Sequence, residues 1–213
     1  MKLATRSFAA LLALAASATY AAAAPITWKV DPAHTEVGFQ VRHFFSKVHG
    51  VFHEVDGAIV FDEADPSAIK VDCTAQVKSV DTGNDRRDAD LRSPHFFEVD
   101  KYPVLSFKST KVTKVGKNKY KVAGDLTMRG VTKPVVFDAE FLGSAPISIG
   151  GESWGSKAGF SATTEVNRQN WGINWNETLD NGGVMVDDLV TIVLNVEASK
   201  VEPAKTEAAK AQQ

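Results

Sequence analysis

Four of the chain's five histidines, His34, His43, His49 and His53, fall within one stretch of twenty residues, and three imidazoles from neighbouring loops can make a zinc site. His49 and His53 face one way on a strand but reach a single ion only if the backbone bends between them, as Gly50 would allow. Hydrogen bonds at strand ends for His34 and His43, with His49 and His53 on the surface, satisfy the same residues without an ion, so no metal ligand is assigned. A second group is the run DTGNDRRDADLR from Asp81 to Arg92, where Arg86, Arg87 and Arg92 lie among Asp85, Asp88 and Asp90. Guanidinium forks suit a phosphate or another anionic head group, unless those aspartates already hold them. Asp187 and Asp188 adjoin without an evident partner and make no acid and base pair of the kind glycoside hydrolysis needs. Cys73 is the chain's one cysteine, so it forms no internal disulfide, and it reads as a small apolar strand residue. Nucleophile elbow, phosphate loop, paired-cysteine zinc site and His-Glu-x-x-His helix are all missing from the sequence. No catalytic residue and no cofactor is therefore assigned.

The elements that must position these residues read almost entirely as strands, because apolar residues recur at every second place. Val37, Phe39 and Val41 share a face, with Glu36, Gln40 and Arg42 on the other. The same alternation carries Val55, Gly57, Ile59 and Phe61, then Val71, Cys73, Ala75 and Val77. It returns in Leu105 and Phe107, in Tyr120, Val122, Gly124, Leu126 and Met128, and, after a tight Arg129-Gly130 turn, from Val131 to Phe141. Phe160, Ala162, Thr164 and Val166 make another strand, and Val190, Ile192, Leu194 and Val196 the last. Between residues 84 and 97 the alternation stops. A short helix capped by Asn84 or Asp85 fits there, ended near Ser93 by Pro94 and followed by Phe96 and Phe97. A charged helix with an aromatic underside would sit across the open end of a sheet or barrel.

The first 23 residues follow the logic of a secretory signal peptide: Lys2 and Arg6, an apolar run from Phe8 to Ala16, and an A-x-A site at Ala21 to Ala23. The run is short of the roughly 20 apolar residues a bilayer span needs. A soluble, periplasmic mature chain beginning near Ala24 is expected, with one domain over residues 24–201 and a disordered tail over 202–213. Loss of Lys2 and Arg6 takes the net charge from -2 to -4, with signs interspersed, which argues against a nucleic-acid partner.

About eight antiparallel strands, each with one apolar face, bury that face by packing sheet on sheet or by closing into a barrel, and closure also removes free edges. Large inward residues mix with small ones, Gly57, Ala75, Gly124, Ala139 and Ala162, that would leave room inside. Periodicity alone does not separate a hollow barrel from a filled sandwich. Five segments, however, are similar to the YceI family in order and spacing: DPAHTEVGFQVRH, VHGVFHEVDGAIVFD, TGNDRRDADLRSPHFFEVDKYPVLSFKS, GDLTMRGVTKPVVFDAEF, and NRQNWGI followed by VDDLVTIVLNVEA. Thr35 stands where many relatives have serine, and WNETLDNGG around Trp175 is less regular. The resemblance implies an all-β, lipocalin-like antiparallel barrel that is hollow and binds a polyisoprenoid or similar amphiphile, with no assured enzymatic activity.

The resemblance makes the inward residues tunnel lining and matches the helix with Arg87, Leu91 and Arg92, then Phe97, to the family's central motif. Phe39, Phe61, Leu91, Phe97, Phe107, Leu126, Phe137 and Phe160 are the expected ligand contacts, and Arg87 or Arg92, on the charged helix, the expected partner of a head group at the barrel mouth. The function expected is a periplasmic carrier or sequestering protein for a polyisoprenoid lipid or the tail of an isoprenoid quinone. The alternative is a small-molecule hydrolase or metal-assisted enzyme using His34, His43 and nearby arginines. A transient contact with a membrane or membrane protein, and a homodimer, stay open.

Overall fold

The structure, a computed structural model, describes residues 25–180 and 182–202, so the expected leader and nearly all of the expected tail lie outside the described residues. The chain forms β1 (Ile26–Val30), β2 (Glu36–His43), β3 (Ser46–Phe52), β4 (Val55–Phe61), β5 (Lys70–Gln76) and β6 (Val80–Asp81). After α1 (Asp85–Arg92) come β7 (Val104–Gly116), β8 (Lys119–Met128), β9 (Val131–Ile149), β10 (Glu152–Asn167) and β11 (Val186–Lys200).

All the strands pair antiparallel in one sheet, ordered β1-β4-β5-β7-β8-β9-β10-β11-β2-β3-β6 and closed by a further β1–β11 pairing. β1 and β2 both lie along β11, with Val30 opposite Ala198 and Val37 opposite Leu194, so they form one bent stave. β3 with β4, and β5 with β6, continue each other in the same way. Eleven segments thus make an eight-stave antiparallel barrel in which each stave pairs with the next in the chain. Alternation shows the segments but not the bends that join them, and the short strands β1 and β3 had no clear signal of their own.

Local chemistry accounts for the bends and turns. Asp31 caps a single helical turn over Pro32–His34, its carboxylate accepting the Ala33 N–H at 3.1 Å. Proline at the first position of that turn gives up no needed donor. Arg129 (φ 49°) and Gly130 (φ 72°) make the two-residue left-handed hairpin turn whose twist matches the flanking strands. In α1 the Asn84 side chain accepts the Arg87 N–H at 3.0 Å, and Asp85 and Asp88 lie in the positive first turn.

The helix covers one end of the barrel. Leu91 and Phe97 pack against the interior, and Phe96 is buried beneath Trp175, with ring centres 5.3 Å apart. At the other end Phe61 meets Tyr120, Phe141 and Phe160 with centroids at 5.8, 4.4 and 5.6 Å, a cluster of rings that closes the base. β9 and β10 run beyond their other partners at that base as a two-stranded ribbon.

Candidate ligand-binding cavity

The barrel encloses a cavity of about 260 Å³, lined almost wholly by carbon. Each apolar residue expected to meet ligand lines it: Phe39, Phe61, Leu91, Phe97, Phe107, Leu126, Phe137 and Phe160. The hollow is uneven. Val122, Leu126, Val135 and Phe137 on β8 and β9 are buried, whereas Val37, Phe39 and Val41 on β2 and Val190, Ile192, Leu194 and Val196 on β11 are only half-buried although they face inward. Lining residues on β5, β7 and β10, among them Val71, Leu105, Phe107 and Phe160, are half-buried too, so the open space is not confined to one wall.

The small residues do not all make that space. A Cβ on Gly57 would stand 2.5 Å from the Cys73 Sγ, and one on Gly124 would stand 2.5 Å from both the Phe107 ring and the Lys108 carbonyl oxygen. These two glycines admit neighbouring protein atoms rather than ligand. Cys73 lines the cavity, and burial pushes its thiol up to about 11, so it stays protonated at neutral pH and supplies no nucleophile.

Arg87 and Arg92 are placed on the outer side of the lid and do not line the cavity. Arg87 donates from Nε to Thr82 Oγ1 at 2.7 Å and from Nη2 to the Thr82 carbonyl at 2.8 Å. Arg92 donates to the carbonyls of Lys78 at 2.9 Å and Val80 at 2.6 Å. Buried Asp88 accepts the Thr82 N–H at 2.9 Å, so Thr82 joins helix to barrel from both sides. The arginine donors meet backbone carbonyls and the Thr82 hydroxyl, which sequence patterning does not show.

Instead, the guanidinium at the cavity is that of Arg168, in the NRQNWGI segment, and it is buried. Arg168 donates to the carbonyls of Asp187 at 3.0 Å, Ile173 at 2.8 Å and Trp175 at 2.7 Å, and to the Asp188 carboxylate at 3.1 Å. Burial weakens its hold on the proton and Asp188 opposes that loss. Asp187 and Asp188 therefore do have partners, Arg42 at 3.0 Å for the first and Arg168 for the second. Trp171, also buried, donates to the Leu126 carbonyl at 3.2 Å and fixes the same segment to β8. Arg129 bridges to it from below, donating to the Gly172 and Pro94 carbonyls and to Glu98.

The histidines are scattered. His34 lies 3.1 Å from Asp31 and His53 lies 3.1 Å from Asp81, while His43 stacks edge-on to Phe44 at the opposite end of the barrel from His34. Asp31, His34 and Glu197 do offer three ligand atoms within 4.8 Å of one another. The Lys157 ammonium already bridges the two carboxylates, 3.0 Å from Asp31 and 3.3 Å from Glu197, and supplies the positive charge that a cation would. That cluster lies outside the cavity. The arrangement can hold an apolar chain.

The YceI-like domain profile matches residues 28–198. The YceI protein of Shigella flexneri is 39% identical over 171 residues, covering 78% of this chain and 84% of that one. The crystal structure of a Campylobacter jejuni YceI protein is 34% identical, with a TM-score of 0.63 over 81% of this chain and 97% of that one. A polyisoprenoid binding domain from Saccharophagus degradans, implicated in plant cell wall breakdown, shares the fold at 11% identity, with a TM-score of 0.60 over 82% and 98% of the two chains. Profile, relatives and barrel agree, and the chain belongs to the YceI family.

Proposed function

We propose that this protein binds a polyisoprenoid lipid, or the isoprenoid tail of a quinone, and carries or sequesters it in the periplasm. The observation that carries the reading is the continuous apolar lining from the lid at Leu91 and Phe97 to the base at Phe61 and Phe160. Such a cavity gains affinity from each buried CH₂, about 0.8 kcal/mol apiece, while offering few partners to a polar ligand. Burial of a chain in this way calls for binding and no chemistry, in line with the protonated thiol and the committed Arg168. Export is supported by the leader-like residues Lys2 to Ala23.

Purification from the native host without detergent, organic extraction and mass spectrometry test the reading. The expected result is a stoichiometric lipid whose mass series steps by isoprene units. A folded protein that extracts empty and binds no added prenol overturns it.

A further inference from the structure

We propose that the barrel takes up its ligand while docked on a lipid bilayer, through an apolar rim formed by Phe45 and Val184. The proposal rests on the reading that the cavity holds an apolar chain, and it names the surface through which that chain arrives.

Phe45 is 102% exposed, at the turn between β2 and β3. The turn is not loose. Phe44 holds a left-handed conformation (φ 51°), its N–H donates to the Met185 carbonyl at 3.0 Å, and the His43 ring packs edge-on against it at 4.3 Å. Phe44 thus takes a conformation that a non-glycine residue adopts only at a cost, and the turn it fixes holds the neighbouring Phe45 ring out in water. Across that hydrogen bond stands Val184, 45% exposed and fixed by a bridge to Thr178.

The same two strands lead inward. Val186, opposite His43, and Val41, opposite Val190, line the cavity, followed by Phe39 and Ile192. An apolar track therefore runs from the exposed tip to the accessible wall of the hollow. Ile149 and Trp154, exposed on the ribbon at the base, have no such track, because the rings of Phe61, Tyr120, Phe141 and Phe160 close that end. A chain that suits this cavity is held in water only within a bilayer or a protein. A protruding tip, rather than a flat patch, suits insertion between lipid head groups. Arg42 and Lys47 share the rim with Asp187, Glu177 and Asp180, so the field there is mixed and docking should depend little on anionic lipid or on salt.

The test uses the mature protein, phosphatidylcholine vesicles with and without phosphatidylglycerol, and vesicles carrying a fluorescent prenyl lipid. Flotation reads docking, fluorescence transfer reads uptake, and equilibrium affinity for monomeric farnesol reads the cavity alone. Phe45→Ser should lower flotation and slow transfer by about tenfold or more. Its farnesol affinity should stay unchanged, and Ile149→Ser should alter none of the three. Failure of the wild type to float, or a Phe45→Ser protein that floats and transfers like wild type, overturns the proposal. So does flotation that requires anionic lipid and vanishes in high salt. If Phe45→Ser instead turns a dimer into a monomer in sedimentation, the tip is a contact between copies and the proposal fails. Loss of farnesol binding in the wild type would strike the proposed function, whereas flotation on prenyl-free vesicles judges the docking surface by itself.

Discussion

At the scale of single residues the decisive side chain is Arg168. Its hydrogen bonds hold three carbonyls and one carboxylate, so its removal leaves them unpaired, the Ile173 carbonyl in a buried place and the others partly open to water. Arg168→Ala should cost about 2–3 kcal/mol in urea unfolding, since the Asp188 carboxylate left behind is partly solvated, and Arg168→Lys should recover little, because one ammonium does not span that fork of acceptors. A second prediction concerns acid. Hydrogen bonds from Lys157 and His34 lower Asp31 from 3.8 to about 2. A carboxylate lowered by folding adds stability above its unfolded value, and that stability is lost as pH falls toward the folded value. Asp31 should therefore contribute at most about 2 kcal/mol at neutral pH, vanishing between roughly pH 4 and 2. Asp31→Asn should be less stable at pH 7 and converge with wild type near pH 2; parallel curves would refute the assignment. That the six strand residues among the expected contacts face the cavity was legible because burial follows period two, whereas Leu91 and Phe97 sit on and after α1, where that period does not apply. The roles of Arg87, Arg92 and Arg168 were not, since a guanidinium bound to backbone carbonyls leaves no trace in side-chain spacing.

Elements show the same division. Strand alternation gave the barrel wall and Pro94 gave the end of α1, because both depend on local geometry. The three bends that divide staves into β1–β2, β3–β4 and β5–β6 depend on neighbours far along the chain and were not visible. Nor was the role of Gly124, which reads as spare room but receives the Phe107 ring. Gly124→Ala drives a Cβ onto the Lys108 carbonyl, which cannot swing aside as a side chain would. It should cost about 1–3 kcal/mol in thermal or urea unfolding. If Gly124→Ala leaves stability unchanged while lowering lipid capacity, the space above that glycine belongs to the ligand after all.

For the whole molecule, the apolar hollow sets the length of chain that can be held. Affinity should rise over the first isoprene units at roughly 4 kcal/mol each and then level off once the cavity is full. Ile192→Trp, on the accessible wall, should bring the plateau to a shorter chain, whereas Lys121→Ala on the outer surface should leave it in place. Titration with prenols of graded length checks this, and affinity indifferent to length in both proteins would rule it out. The barrel's closure has a separate consequence for how it is made. Its first stave meets its last, with Trp28 opposite Lys200 and Val37 opposite Leu194. Joining ends so far apart costs about 4–5 kcal/mol of chain entropy, and a chain emerging N-terminus first has nothing to close against until β11 is out. Until then it is an open sheet with an apolar face and two bare edges, prone to aggregation and suited to a chaperone or a translocation pore. A chain stopped after Asn167 should therefore remain protease-sensitive, and a synthetic Val186–Lys200 peptide added in trans should slot into the gap and restore protection.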